Sequence, residues 1–70
     1  IYPNPVEDVL TVRAEAGSQV FLMDLQGRII SERTVEYAEV QFDMSGLSSG
    51  VYMVRVNANG SNQVERIVKR

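Results

Sequence analysis

Cysteine and histidine are both missing from this chain of 70 residues. Their absence excludes disulfide bonds, thiol or imidazole catalysis and the usual zinc ligand sets. A chain of this length forms one small domain, which buries only about 60% of the surface that it exposes when unfolded. We therefore expect a single domain over residues 1–70, of modest stability, held together by its apolar core and without a cofactor or metal.

Positive charge and long apolar runs are also scarce. Seven basic and nine acidic side chains give a formal net charge of -2, whereas a nucleic-acid partner would favour a basic face. No apolar run approaches the roughly 18 residues that a membrane-spanning helix needs. The segment at Ile1 also lacks the basic and apolar regions of a signal peptide. The sequence therefore predicts neither a nucleic-acid partner nor a membrane-spanning segment.

Short apolar runs with a period near two, separated by turn residues, are typical of β-strands. We predict strands at residues 9–14, 19–24, 28–34, 38–43, 51–58 and 62–69. A short edge piece is expected near Tyr2, where Pro3 and Pro5 limit pairing. About seven antiparallel strands at this spacing favour an all-β, immunoglobulin-like β-sandwich, which we expect to be a monomer in dilute solution.

The turns between these strands have specific residue signals. In the segment DLQGR, the Asp24 carboxylate is predicted to accept a hydrogen bond from the backbone of Gln26, and Gly27 to adopt the left-handed conformation of a three-residue hairpin loop. The dipeptide Asn59-Gly60 suits a type I′ turn. Hairpins are therefore predicted over residues 19–34 and 51–69, with a further turn at residues 15–18.

The segment GLSSGVYMVRV resembles the tyrosine corner of a sandwich. Leu47 is predicted to fill the core, Gly50 to bend the chain, and the Tyr52 hydroxyl to bond to the backbone near residues 45–47. Tyr52, Val54 and Val56 are then expected to form the inward face of a strand.

An alternative interpretation of this segment is a catalytic loop, because it holds Ser45, Ser48 and Ser49. A serine nucleophile needs an adjacent base, and the chain has no histidine and one lysine, Lys69, far along the sequence. The acidic residues also lack the alternating ligand pattern of a calcium loop. We therefore predict that the protein is not an enzyme and assign it no catalytic, cofactor-binding or metal-binding residue.

Four segments, in order, resemble the type A C-terminal sorting domain of proteins exported by the type IX secretion system (Por secretion system) of Bacteroidetes. They are YPNPVEDVLTV, DLQGR, DMSGLSSGVYMVRV and RIVKR. The matching positions are Tyr2, Pro3, Asn4, Pro5, Asp8, Leu10, Val12, Asp24, Gly27, Arg28, Asp43, Ser45, Leu47, Gly50, Tyr52, Val54, Val56 and the basic end of the chain. We expect most of these residues to have structural roles.

The resemblance implies that the chain is a sorting signal and does not itself catalyse a reaction. It implies a cargo domain fused on the N-terminal side, transit through the periplasm, recognition by the type IX translocon, and delivery to the cell surface or the medium. A sortase-like cysteine peptidase at the outer membrane would then commonly cleave upstream of Ile1. The 70 residues would accordingly be an excerpt of a longer secreted protein.

The last predicted strand is the candidate for recognition. Because no predicted element follows it, its backbone edge and basic end are expected to pair with a receptor through Ile67, Val68, Lys69 and Arg70. Two other functions are considered, an immunoglobulin-like spacer or adhesion module and a carbohydrate-binding module. The aromatic residues argue against the second, since Phe21, Phe42 and Tyr52 are predicted to lie in the core and only Tyr2 and Tyr37 remain for a sugar-binding face.

Overall fold

A computed structural model describes residues 7–70, in which all the regular elements are β-strands. They are β1 (Val9–Arg13), β2 (Gln19–Met23), β3 (Ile29–Thr34), β4 (Glu39–Asp43), β5 (Gly50–Ala58) and β6 (Ser61–Lys69). The all-β prediction is confirmed, and each of these strands matches a predicted one to within one residue at its ends. The predicted number of about seven strands is not confirmed, because residues 7–70 contain six. The piece expected near Tyr2 lies outside the described residues.

The six strands form two antiparallel sheets. β1 pairs with β4, with Val9 opposite Asp43, and the larger sheet has the strand order β3-β2-β5-β6. The predicted hairpins are confirmed as β2–β3 and β5–β6. The two hairpins are joined by the pairing of β2 with β5, in which Met23 lies opposite Met53.

Both sheets contribute to one apolar core. Its fully buried side chains are Leu10, Val12, Val20, Leu22, Val35, Phe42, Met44, Val54 and Ile67. Burial of each of these side chains stabilises the fold by about 1.5–3 kcal/mol. On β5, Val54 is buried while Tyr52 and Val56 are half-buried and pack against the core, which agrees with the predicted inward face.

The prediction that Phe21 is a core residue is wrong. Successive side chains of a strand point to opposite faces of the sheet, and the buried pair on β2 is Val20 and Leu22. Phe21 therefore points away from the core and is half-buried on the outer side of the four-stranded sheet. There the guanidinium carbon of Arg55 lies 4.8 Å from the centroid of its ring.

Positive backbone φ angles occur at the predicted turn residues. Asn59 and Gly60 have φ of 51° and 81°, as a type I′ turn requires, and connect β5 to β6. In the turn at residues 15–18, the Ser18 amide donates to the Glu15 carbonyl oxygen at 3.1 Å.

A candidate recognition surface at one end of the sheets

Segments that are far apart in the sequence meet at one end of the molecule. The Met44 amide donates to the Asp8 carbonyl oxygen at 2.6 Å, which joins the start of β1 to the end of β4. The corner after β4 leads directly into β5, whose first residue, Gly50, lies opposite Lys69 of β6. We call this region, formed by Asp8 and residues 24–28, 43–52 and 68–70, the motif end.

The first loop of the motif end is organised by one carboxylate. Asp24 Oδ1 accepts hydrogen bonds from the amides of Gln26 at 2.9 Å and Arg28 at 3.0 Å. Asp24 Oδ2 accepts from Arg28 Nε at 2.9 Å. The Arg28 amide, with help from its side chain and the Gln26 amide, lowers the pKa of Asp24. The predicted role of Asp24 is therefore confirmed, and the φ of 87° at Gly27 confirms the left-handed residue.

This loop exposes two side chains of opposite character. Leu25 is 64% exposed at the tip of the turn, and the Arg28 side chain is 79% exposed although its Nε is held by Asp24. Arg28 was noted in the sequence as a motif position, whereas Leu25 was missed. Its position in the middle of a hairpin loop is the signal that indicates an exposed apolar side chain here.

The corner between β4 and β5 contains a second carboxylate turn. Asp43 Oδ1 accepts from the Ser45 amide at 3.0 Å and from the Ser45 hydroxyl at 2.7 Å, and both bonds lower the pKa of Asp43. The turn continues with a bond of 3.0 Å from the Leu47 amide to the Met44 carbonyl oxygen. Met44 is fully buried, whereas Leu47, which we expected to fill the core, is half-buried against it.

The tyrosine at the start of β5 bonds back to this corner. The Tyr52 hydroxyl donates to the Ser48 carbonyl oxygen at 2.7 Å. The acceptor therefore lies just after the predicted residues 45–47. Gly50, at the bend between them, has a φ of 150°, a conformation that residues with a side chain rarely adopt.

A shallow groove of about 280 Å³ separates the two loops. It is lined by Asp24, Leu25, Gln26 and Arg28 on one side and by Ser49, Gly50, Val51 and Tyr52 on the other. The groove therefore brings the second and third sequence motifs into contact with a common space, although 14 residues separate the two motifs along the chain.

The side chains of the last strand alternate between buried and exposed positions. Ile67 and Lys69 are 0% and 7% exposed, whereas Val68 is 42% exposed and Arg70 is exposed. Lys69 Nζ donates to the Arg70 carbonyl oxygen at 2.6 Å. The expectation that Lys69 presents an exposed charge is therefore wrong. Its position two residues after the apolar Ile67, on the same face of a strand, is the signal that could have indicated its burial.

Residues 7–70 contain no helix that is long and apolar enough to cross a membrane. Over the same residues, no cluster of three or more acidic side chains is arranged to hold a metal ion.

Comparisons with known proteins place these features in a wider context. A family model described as the secretion system C-terminal sorting domain matches residues 1–70. Among solved structures, the chain is similar to part of PorZ, an essential bacterial surface component of the type-IX secretion system of Porphyromonas gingivalis. The TM-score is 0.89 at 27% identity, over 99% of this chain and 11% of the PorZ chain. None of the curated proteins compared with this chain matches it.

Proposed function

The chain belongs to the family of secretion system C-terminal sorting domains. On that basis we propose that the type IX translocon recognises the domain through its motif end. The domain is a sorting signal, so its target is the export machinery. The observation that carries the proposal is that Asp8 of the first motif meets described residues of the other three motifs at one end of the molecule, around the pairing of Gly50 with Lys69.

Most motif residues at this end have hydrogen bonds that stabilise the surface. Asp24 and Asp43 each organise a turn, and Tyr52 ties the corner to β5. The side chains left exposed beside them, Leu25 and Arg28, combine an apolar contact with a positive charge. A receptor with an acidic and apolar surface would complement them.

The terminal segment contributes to this surface in two ways. Val68 and Arg70 have exposed side chains and are the proposed receptor contacts, together with Leu25 and Arg28. Ile67 and Lys69 are buried and anchor the segment to the domain. The buried pair therefore fixes the direction in which the exposed pair is presented.

Family membership supports a proposal for how the domain is used. A cargo protein fused on the N-terminal side is carried through the periplasm to the cell surface or the medium, and a sortase-like cysteine peptidase cleaves upstream of the domain. The domain itself is not an enzyme. In support, the Ser45 hydroxyl is bonded to Asp43, and the Ser48 carbonyl accepts from Tyr52, so both serines take part in the corner.

The fold is proposed to be an immunoglobulin-like β-sandwich. Two antiparallel sheets contribute to one core, and the Tyr52 hydroxyl bonds to the backbone four residues upstream. Both features are shared by immunoglobulin-like domains.

Reversal of one exposed charge tests the proposed surface. A reporter is fused before the domain and expressed in a bacterium with a type IX system, with Arg70→Glu as the test variant. Arg13→Glu is the matched control, because Arg13 is an exposed arginine at the end of β1 that lies away from the motif end. We expect the Arg70 variant to accumulate in the periplasm and the Arg13 variant to reach the cell surface.

The test requires that both variants are folded. Exposed charges contribute about 0–1 kcal/mol, so both purified domains should unfold at the same denaturant concentration as the original to within that margin. Lys69→Glu is unsuitable, because it would bury a carboxylate beside the Arg70 carbonyl oxygen and destabilise the domain. Normal surface display of the Arg70 variant would remove this residue from the proposed surface. Display without β6 would contradict the sorting function as a whole.

A further inference from the structure

The outer side of the four-stranded sheet carries many apolar side chains. They alternate along each strand with the residues that face the core, and none belongs to the buried cluster. Six of them are Phe21, Met23, Ile29, Val51, Met53 and Val64. Ile29 and Val64 are 52% and 50% exposed, and the other four are half-buried. We call this surface the outer face.

One row across the outer face has opposite charges on either side of an aromatic ring. Phe21 on β2 pairs with Glu32 on β3 and with Arg55 on β5. Adjacent strands lie about 4.8 Å apart, so Glu32 and Arg55 are about 10 Å apart, with Phe21 midway between them. Neither charge belongs to an ion pair among residues 7–70. Arg55 Nε is also buried and has no hydrogen-bond acceptor.

The neighbouring row is apolar at the same positions. Met23 on β2 pairs with Ile29 on β3 and with Met53 on β5. In both rows β2 is therefore central, and the residues on its two sides are complementary. Glu32 and Arg55 have opposite charges, and Ile29 and Met53 are both apolar.

From this arrangement we propose that the outer face is a two-fold symmetric interface between two copies of the domain. A two-fold axis that lies between facing sheets and runs along β2 places Phe21 against Phe21 and Met23 against Met23. It also places Ile29 against Met53 of the second copy and Glu32 against Arg55 of the second copy. Such a self-complementary patch is what a symmetric dimer requires.

The distribution of charge selects a second copy over an unrelated partner. A purely acidic surface would meet Arg55 and Arg66 favourably but would repel Glu32, and a purely basic surface would attract Glu32 but would repel both arginines. The two-fold arrangement pairs Glu32 and Arg55 at once. It also brings the Glu32 carboxylate of the second copy to the Arg55 guanidinium, and such charge-assisted hydrogen bonds are stronger than neutral ones.

The size of the face predicts weak association. With the axis along β2, the three strands β3, β2 and β5 face the second copy. At about 4.8 Å per strand, over five residues that each rise about 3.3 Å, they cover on the order of 240 Å² per copy. Stable interfaces bury about 800 Å² per partner, so this one belongs to the transient class. The domain is accordingly monomeric in dilute solution and dimeric only at high local concentration.

A dilution series tests the interface. Amide spectra are recorded by nuclear magnetic resonance from about 1 mM down to about 10 µM, a range that covers weak association, and sedimentation velocity gives the mass. We expect the mass to approach that of a dimer at the highest concentration. The concentration-dependent shifts should be centred on Phe21, Met23 and Arg55.

Charge exchange tests the two-fold register. Arg55→Glu places two carboxylates against each other twice per dimer, and Glu32→Arg does the same with two guanidinium groups. Each single variant should weaken the dimer about tenfold or more. The double variant Glu32→Arg/Arg55→Glu exchanges the charges and should restore the dimer. Glu39→Arg, an exposed change on β4 in the other sheet, is the matched control and should have no effect.

Glu32→Arg keeps the test valid if loss of the Arg55–Phe21 contact unfolds the other single variant, because Glu32 is exposed. The proposal is overturned if the original domain stays monomeric at the highest concentration. It is also overturned if the shifts map to β1 and β4, or if the double variant associates no better than the single variants. These outcomes are independent of export, which the Arg70 variant measures.

Discussion

The Tyr52 hydroxyl and the Ser48 carbonyl oxygen are joined by a hydrogen bond of 2.7 Å, which closes the chain around the bend at Gly50. The bond joins the loop between β4 and β5, which connects the two sheets, to the start of β5. Both of its residues belong to the third sequence motif. The geometry of the corner thus depends on a side chain that also packs against the core.

Removal of this hydroxyl should have a small effect, and removal of the ring a larger one. We expect Tyr52→Phe to lower the free energy of unfolding by about 0.5–1 kcal/mol, because one neutral hydrogen bond is lost. Tyr52→Ala should lower it by about 3 kcal/mol through lost packing. Denaturant unfolding of the isolated domain measures both values. If neither Tyr52→Phe nor Tyr52→Ala lowered the free energy of unfolding, the corner would not depend on Tyr52.

Acid should weaken the loop that Asp24 organises. The Arg28 amide is the main cause that lowers the pKa of Asp24 below its ordinary value of 3.8. A lowered pKa in the folded state gives a stabilisation that is present above the ordinary value and is lost as the pH falls through the folded one. Asp24→Asn should therefore reduce stability at neutral pH, and the difference from the original domain should shrink in acid.

Two measurements check this behaviour. Unfolding curves at about pH 7 and about pH 2 compare the two proteins on either side of the carboxyl titration. A carboxyl carbon titration by nuclear magnetic resonance gives the midpoint for Asp24, which should lie below 3.8. A stability difference that stays constant between the two pH values would contradict the proposed role of the charge.

Gly27 and Gly46 form a matched pair that tests how much a positive backbone φ angle restricts the residue type. Gly27 has a φ of 87°, whereas Gly46 has no positive φ, and a Cβ atom at either position would meet no atom within 4 Å. Gly27→Ala should cost about 1–2 kcal/mol, since an L-residue is strained in the left-handed region. Gly46→Ala should cost nothing or stabilise slightly. Thermal unfolding of both variants gives the comparison, and equal melting temperatures would refute it.

Local chemistry explains which parts of the fold could be predicted from the sequence. Asp24 with Gly27, and Asn59 with Gly60, determine their turns through contacts within five residues, and both predicted hairpins are present. The pairing of β2 with β5 involves partners that are 30 to 38 residues apart. No local signal identifies such partners, so the order of strands within the sheets could not be predicted.

The error at Phe21 has a specific physical cause. The strand QVFLM is apolar at every position after Gln19, so a period of two does not distinguish its inward face from its outward face. The position of Lys69 was misjudged for the opposite reason. Its charge suggested exposure, but alternation from Ile67 places it inward, where its long side chain reaches the Arg70 carbonyl oxygen.

The position of the two ends of the described chain has a mechanical consequence. The Asp8 carbonyl is bonded at the corner that leads to Gly50, and Gly50 pairs with Lys69, so residues 7 and 70 lie at the same end of the molecule. Tension between these residues loads the β5–β6 ladder from one end, and its hydrogen bonds break one pair after another. A ladder opened in this way resists far less force than one sheared along its length. A machine that pulls on the last residues against residue 7 would therefore open the β5–β6 ladder from Lys69 and the β1–β4 ladder from Val9, because both terminal pairs lie at this end.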